Sequence, residues 1–125
     1  MYASSFDKYA TRLEMIQYTG KSRVLDAGCG FGQWSFALAA CGNKRVDACD
    51  VSLDRINVFQ EILAQTGKND VHPVVSPLER LPYENGVFDC VFCYGVIHAT
   101  DINSVLDEFY RVLKNGGRLY FTANG

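Results

Sequence analysis

Apolar positions along the chain alternate between two rhythms. Over residues 5–18, Phe6, Tyr9, Leu13 and Ile16 fall at steps of three, four and three. That is one face of an amphipathic helix, with Ser4 or Ser5 as its cap and Thr19-Gly20 as its end. A short apolar run at 23–27 predicts a first strand, 35–40 a short helix stopped near Gly42, and 45–49 a second strand. Ser52 then caps a helix whose Leu53, Ile56, Phe59, Ile62 and Leu63 are set to face a sheet, closed by Gly67. Val71–Val75 reads as a third strand, and Pro73 assigns it an edge or irregular position. A turn-rich link at 79–86 leads to a fourth strand at 87–94. Asp101 caps a helix carrying Ile102, Val105, Leu106, Phe109, Val112 and Leu113, and Asn115-Gly116-Gly117 turns the chain into a fifth strand at 118–122. Strands alternating with helices predict a three-layer α/β sandwich around a mostly parallel sheet, built through right-handed crossovers.

Composition narrows the picture. A chain of 125 residues, 48% hydrophobic, makes one globular domain able to bury a sizeable core. The net charge of −2 gives no broad basic face, which argues against nucleic acid as a partner. No apolar run reaches membrane-spanning length, and the N-terminal residues lack the basic and apolar regions of a secretion signal; a cytoplasmic location is expected because cysteines used as reduced apolar residues fit one. Five cysteines lie in or beside predicted strands and the glycine turn. Cys90 and Cys93 have redox-motif spacing, but residues three apart on a strand point to opposite faces. The cysteines therefore read as reduced, small apolar residues, and no group of side chains has metal-ligand spacing.

The chemistry concentrates in Val24-Leu25-Asp26-Ala27-Gly28-Cys29-Gly30-Phe31-Gly32-Gln33-Trp34. An apolar strand runs through an acid into a turn with glycine at every second position, and a helix follows at once. Glycines at 28, 30 and 32 leave the main chain open to a ligand, and the helix start adds unpaired N–H groups and the positive end of its dipole. Asp50 ends the next strand, where a carboxylate can accept two hydrogen bonds from a ribose diol. The dinucleotide fingerprint would need a third glycine where Gln33 stands, which counts against a nicotinamide-dependent oxidoreductase.

The run Asp26-x-Gly28-x-Gly30-x-Gly32 resembles the first motif of the class I S-adenosylmethionine-dependent methyltransferases. Three further segments are similar to that family: Ser76-Pro77-Leu78-Glu79-Arg80-Leu81-Pro82-Tyr83, Phe88-Asp89-Cys90-Val91, and Arg111-Val112-Leu113-Lys114-Asn115-Gly116-Gly117. The resemblance implies a Rossmann-like fold and S-adenosylmethionine as cofactor. It implies that Gly28 and Gly30 approach the methionine and ribose portion, with Asp26 organising the turn or meeting the methionyl ammonium. Asp50 would take the ribose, Val51 would lie beside the adenine, and Leu78 would offer its backbone N–H to the ring. Cys29, Gly32, Glu79 and Cys93 complete the expected cofactor-binding set. Pro77 stands where the family often has an aspartate for the adenine amino group, so that contact is lacking. Asn115 replaces a usual proline in a turn that asparagine tolerates.

Methyl transfer needs alignment and water exclusion, and a base only where the acceptor must lose a proton. The expected base is His98, in the loop after the fourth strand; its alternative is to pack against or cap the next helix. Tyr94-Gly95 does not match the Asn/Asp-Pro-Pro-Tyr signature of amide and base N-methyltransferases. Tyr9 and Arg12 could form a lid over the cofactor, with core packing and a solvated face as their alternatives. The expected function is methyl transfer to a small-molecule acceptor; the alternative is a non-catalytic cofactor-binding or interaction module. The family fold carries a further helix and two more strands. Residues 1–125 are therefore expected to be the cofactor-binding core of a longer protein, truncated after the fifth strand. Otherwise a dimer partner or swapped segment must cover that strand's edge.

Overall fold

The computed structural model describes residues 2–95 and 101–122, with side chains from residue 7 onward. Nine elements follow one another: α1 (Tyr2–Met15), β1 (Val24–Ala27), α2 (Gln33–Ala40), β2 (Val46–Asp50), α3 (Leu53–Thr66), β3 (Val71–Val75), β4 (Phe88–Cys93), α4 (Ile102–Val112) and β5 (Leu113–Phe121). The strands form one sheet in the order β3-β2-β1-β4-β5, every neighbouring pair parallel. The order reverses at β1, so the loops leaving β1 and β4 open a crevice at the carboxyl ends of the strands.

Each face of the sheet has its own core. Val24, Val46, Ala48, Cys90 and Phe92 pack with Leu13 of α1, Leu38 of α2, and Ile56, Phe59 and Leu63 of α3. Leu25, Ala27, Cys49, Val91 and Cys93 face the other way, onto Val105, Phe109 and Val112 of α4. Cys90 and Cys93 thus lie on opposite faces, as a period of two requires. All five cysteines are free thiols. Pro73 pairs with Ala48 on β3, an edge strand with β2 as its neighbour, where its missing N–H breaks no second ladder.

Several boundaries differ from the sequence reading. Helix α1 covers Tyr2–Met15 rather than 5–18, and Ser4 and Ser5 fall inside it rather than before it. Gln17 adopts a left-handed φ of 65°, which frees Tyr18 to leave the helix and bury; its hydroxyl donates to the Val91 carbonyl at 3.1 Å. On α3 the buried stripe is Ile56, Phe59 and Leu63, while Leu53 and Ile62 are exposed. Five apolar residues span too wide an arc for one helix face to cover. Strand β5 starts at Leu113 rather than 118: two steps along β4, Phe88 to Cys90, oppose five along β5, Leu113 to Arg118. The Asn115-Gly116-Gly117 turn is thus a bulge within the strand rather than a connection before it.

The caps at Ser52 and Asp101 form as expected. Ser52 Oγ accepts from the Arg55 N–H, and Asp101 accepts from Asn103 and Ser104. Gly67 closes α3 at a φ of 70°.

Candidate functional site

The glycine turn is tied to the end of β2. The N–H groups of Gly28 and Cys29 both donate to the Cys49 carbonyl at 2.8 Å, and the Gly30 N–H donates to Asp50 Oδ1 at 3.2 Å. Asp50 Oδ2 accepts from the Ser52 N–H at 2.9 Å, with the Arg55 guanidinium 3.8 Å away. Each carboxylate oxygen keeps one lone pair for another donor. The Asp50 carbonyl accepts from Ser76 at 2.9 Å, so the β2 end also anchors the segment carrying Leu78 and Glu79.

The glycines differ in what they provide. A Cβ at Gly30 would meet nothing within 4 Å, so the space beside the main chain there is open. A Cβ at Gly32 would lie 2.6 Å from the Phe59 ring, and Gly32 has a φ of 98°. Packing of α3 and the backbone conformation therefore both require a missing side chain at 32. Gly32 is also the N-cap of α2 and brings no side-chain hydrogen bond to it, so the first N–H groups of α2 keep free donors beside the turn.

Asp26 is buried and accepts from the Ser35 hydroxyl at 2.6 Å. Burial pushes its carboxyl up to about 7, opposed by the Ser35 hydrogen bond and helped by the neighbouring Asp50 charge. The Asp26–Ser35 hydrogen bond therefore ties β1 to α2 across the turn. Burial also raises the thiols of Cys29 and Cys49, which keeps both protonated. Val51 is exposed, and Leu78 is buried in one apolar cluster with Leu81, Cys49 and the wholly buried Cys93. Glu79 is half-buried. His98 lies outside the described residues.

Sequence reasoning missed several residues that shape this region. Ser35, the partner of Asp26, carried no signal beyond being a small polar residue on an apolar helix. Ser76 is buried and its hydroxyl lies within hydrogen-bonding reach of the carbonyls of Pro77 (2.9 Å) and Arg80 (3.2 Å), fixing the turn that follows β3. Arg111 donates to the carbonyls of Leu81 and Tyr83 and pairs with Glu108, which accepts from the Leu81 N–H. One ion pair on α4 therefore clamps the link beyond Leu78.

Across the crevice, the Trp34 ring packs against Tyr9 (4.5 Å between centroids), Phe92 (4.8 Å) and Tyr94 (5.1 Å). Arg12 sits over Tyr94 at 5.5 Å and donates to the Tyr120 hydroxyl at 2.9 Å. Tyr9 and Arg12 thus bring α1 over the ends of β4 and α2. Among the described residues no group of side chains could hold a metal ion, and no helix is long and apolar enough to cross a membrane.

Comparison with known proteins agrees with this geometry. The model of a methyltransferase domain family matches residues 24–117. A demethylmenaquinone methyltransferase of Lactococcus lactis is 34% identical over 87% of this chain and 44% of its own length. A tRNA U34 carboxymethyltransferase of Campylobacter curvus is 29% identical over 93% of this chain and 39% of its own. The crystal structure of a SAM-dependent methyltransferase from Aquifex aeolicus superposes with a TM-score of 0.72 at 25% identity, covering 89% of this chain and 66% of that one. The chain spans less than half the length of either curated relative. With the glycine turn, the sheet order and the family match in agreement, the chain belongs to the class I S-adenosylmethionine-dependent methyltransferase family.

Proposed function

We propose that this chain is the cofactor-binding core of an enzyme that transfers the methyl group of S-adenosylmethionine to a small-molecule acceptor. The observation that carries the reading is the open space at Gly30 beside the buried Asp50 carboxylate, each fastened to the other. Gly28 and Gly30 would hold the methionine and ribose portion, and Asp50 the ribose hydroxyls. Exposed Val51 and the backbone of Leu78 would flank the adenine. These residues fit the group: the turn admits main-chain contact, and the acceptor atoms match a vicinal diol.

When bound, S-adenosylmethionine supplies an electrophilic methyl carbon on a sulfonium. The protein then has to align the acceptor and exclude water, which can account for several kcal/mol of the barrier. His98 remains the proposed base for an acceptor that must lose a proton. A small acceptor fits better than a polynucleotide, because a net charge of −2 offers no extended cationic face. The free, mostly buried thiols fit a reducing cytoplasm. In the whole protein, a further segment or a second copy covers the open side of β5.

Titration calorimetry with S-adenosylhomocysteine and with NAD tests the reading. S-adenosylhomocysteine is expected to bind and NAD not to. Preference for NAD, or failure of S-adenosylhomocysteine to bind a folded protein, would overturn it.

A further inference from the structure

Beside the glycine turn lies a cavity of about 350 Å³, lined by Lys8, Tyr9, Arg12, Trp34 and Tyr94. Three parts of the chain build it: α1 gives both cations and one ring, the start of α2 gives Trp34, and the residue just after β4 gives Tyr94. Its volume lies at the lower end of the range for small-molecule sites. It opens at the carboxyl edge of the sheet: Trp34 is two residues beyond Gly32, and Asp26 pairs with Phe92 two residues before Tyr94.

The walls specify a ligand. The Trp34 and Tyr94 rings, 5.1 Å apart and backed by Phe92, present aromatic surface to whatever enters. The Tyr120 hydroxyl accepts from the Arg12 guanidinium at 2.9 Å and the Tyr94 hydroxyl is a second partner, and the five-donor fork keeps further N–H groups for a ligand. Among the described residues no carboxylate lies within 4 Å of Arg12 or Lys8, although acidic residues outnumber basic ones in the chain. Two uncompensated cations over an aromatic floor match a flat ring that carries a negative charge.

We infer that this cavity is the acceptor site and that it takes a planar aromatic acid, its ring on Trp34 and Tyr94 and its carboxylate on Arg12 and Lys8. The inference rests on the methyltransferase reading, since it places the acceptor next to the cofactor's turn.

Trp34 is the single tryptophan of the chain, so its fluorescence reports occupancy without any turnover. The full chain is titrated with 4-hydroxybenzoate and with 4-hydroxybenzamide, and calorimetry with S-adenosylhomocysteine and 5′-methylthioadenosine is run in parallel. The acid is expected to quench Trp34 saturably, and the amide to bind about tenfold more weakly for want of the charged contact. Arg12→Gln is expected to erase that preference and Arg12→Lys to keep most of it, with S-adenosylhomocysteine affinity unchanged in both. Acid and amide binding equally, or neither binding while S-adenosylhomocysteine does, would overturn the inference and leave the cofactor reading intact. So would an Arg12→Gln variant that loses S-adenosylhomocysteine but not 5′-methylthioadenosine, because Arg12 would then hold the cofactor's own carboxylate. Failure of S-adenosylhomocysteine to bind at all would overturn the cofactor reading, and with it the inference.

Discussion

Asp26 and Ser35, nine positions apart in sequence, meet in the core at 2.6 Å, carboxylate to hydroxyl. Because burial pushes Asp26 up to about 7, the native state holds its proton to higher pH than the unfolded chain, whose carboxyl titrates near about 3.9. The Asp26 contribution to stability is therefore complete below that unfolded value and is lost as pH rises towards 7, at ~1.4 kcal/mol per pH unit. Urea unfolding of the protein and of Asp26→Asn across this window is expected to show the variant gaining relative stability as pH rises. A pH-independent difference would mean that Asp26 titrates as an ordinary carboxyl.

Gly30 and Gly32 separate ligand space from packing. Gly32→Ala drives a methyl group into the Phe59 ring in a backbone region that disfavours it, and is expected to destabilise by roughly 2–4 kcal/mol. Gly30→Ala meets open space and bears only the backbone penalty, about 1–2 kcal/mol, yet is expected to weaken S-adenosylhomocysteine binding. Denaturation midpoints and calorimetry on both variants check this. Equal stability losses would contradict the assignment.

Asp50→Ala removes the acceptor proposed for the ribose hydroxyls. Affinity for S-adenosylhomocysteine is expected to fall by roughly 1–3 kcal/mol, the range for lost charged hydrogen bonds. Adenine alone, which has no ribose, is expected to bind both proteins alike. A parallel loss for adenine would point to a displaced loop rather than a missing ribose contact.

Arg111→Met opens the clamp on the link beyond Leu78. Two backbone carbonyls, the Asn85 side-chain oxygen and the Glu108 carboxylate each lose a donor, a cost of roughly 2–3 kcal/mol. Hydrogen exchange is expected to accelerate first at the Leu81 N–H, which Glu108 would no longer hold in place. Protection unchanged at Leu81 would show the clamp to be incidental. In the native protein the Arg111 hydrogen bond is the chief cause holding the Glu108 carboxyl below its usual range. That part of the stability is present above the unfolded Glu pKa and lost as pH falls through the native one.

The sequence by itself determined the features governed by near neighbours. The caps at Ser52 and Asp101, the αL close at Gly67 and the alternation of Cys90 and Cys93 all depend on residues within a few positions, and Pro73 by its missing N–H excludes a central strand. The spacing of Asp26, the glycines and Asp50 was equally legible, because a strand, a turn and a helix set it locally. Tertiary structure alone decided which of the α3 apolar residues are buried and that Phe59 fills the place of a Gly32 side chain. It also decided that Asp26 pairs with Ser35, and that Arg12 reaches Tyr120, 108 residues away, over a floor of rings. These contacts depend on the strand order and on the angles at which helices cross the sheet. Such angles are settled by whole packed faces, so no run of neighbouring residues encodes them.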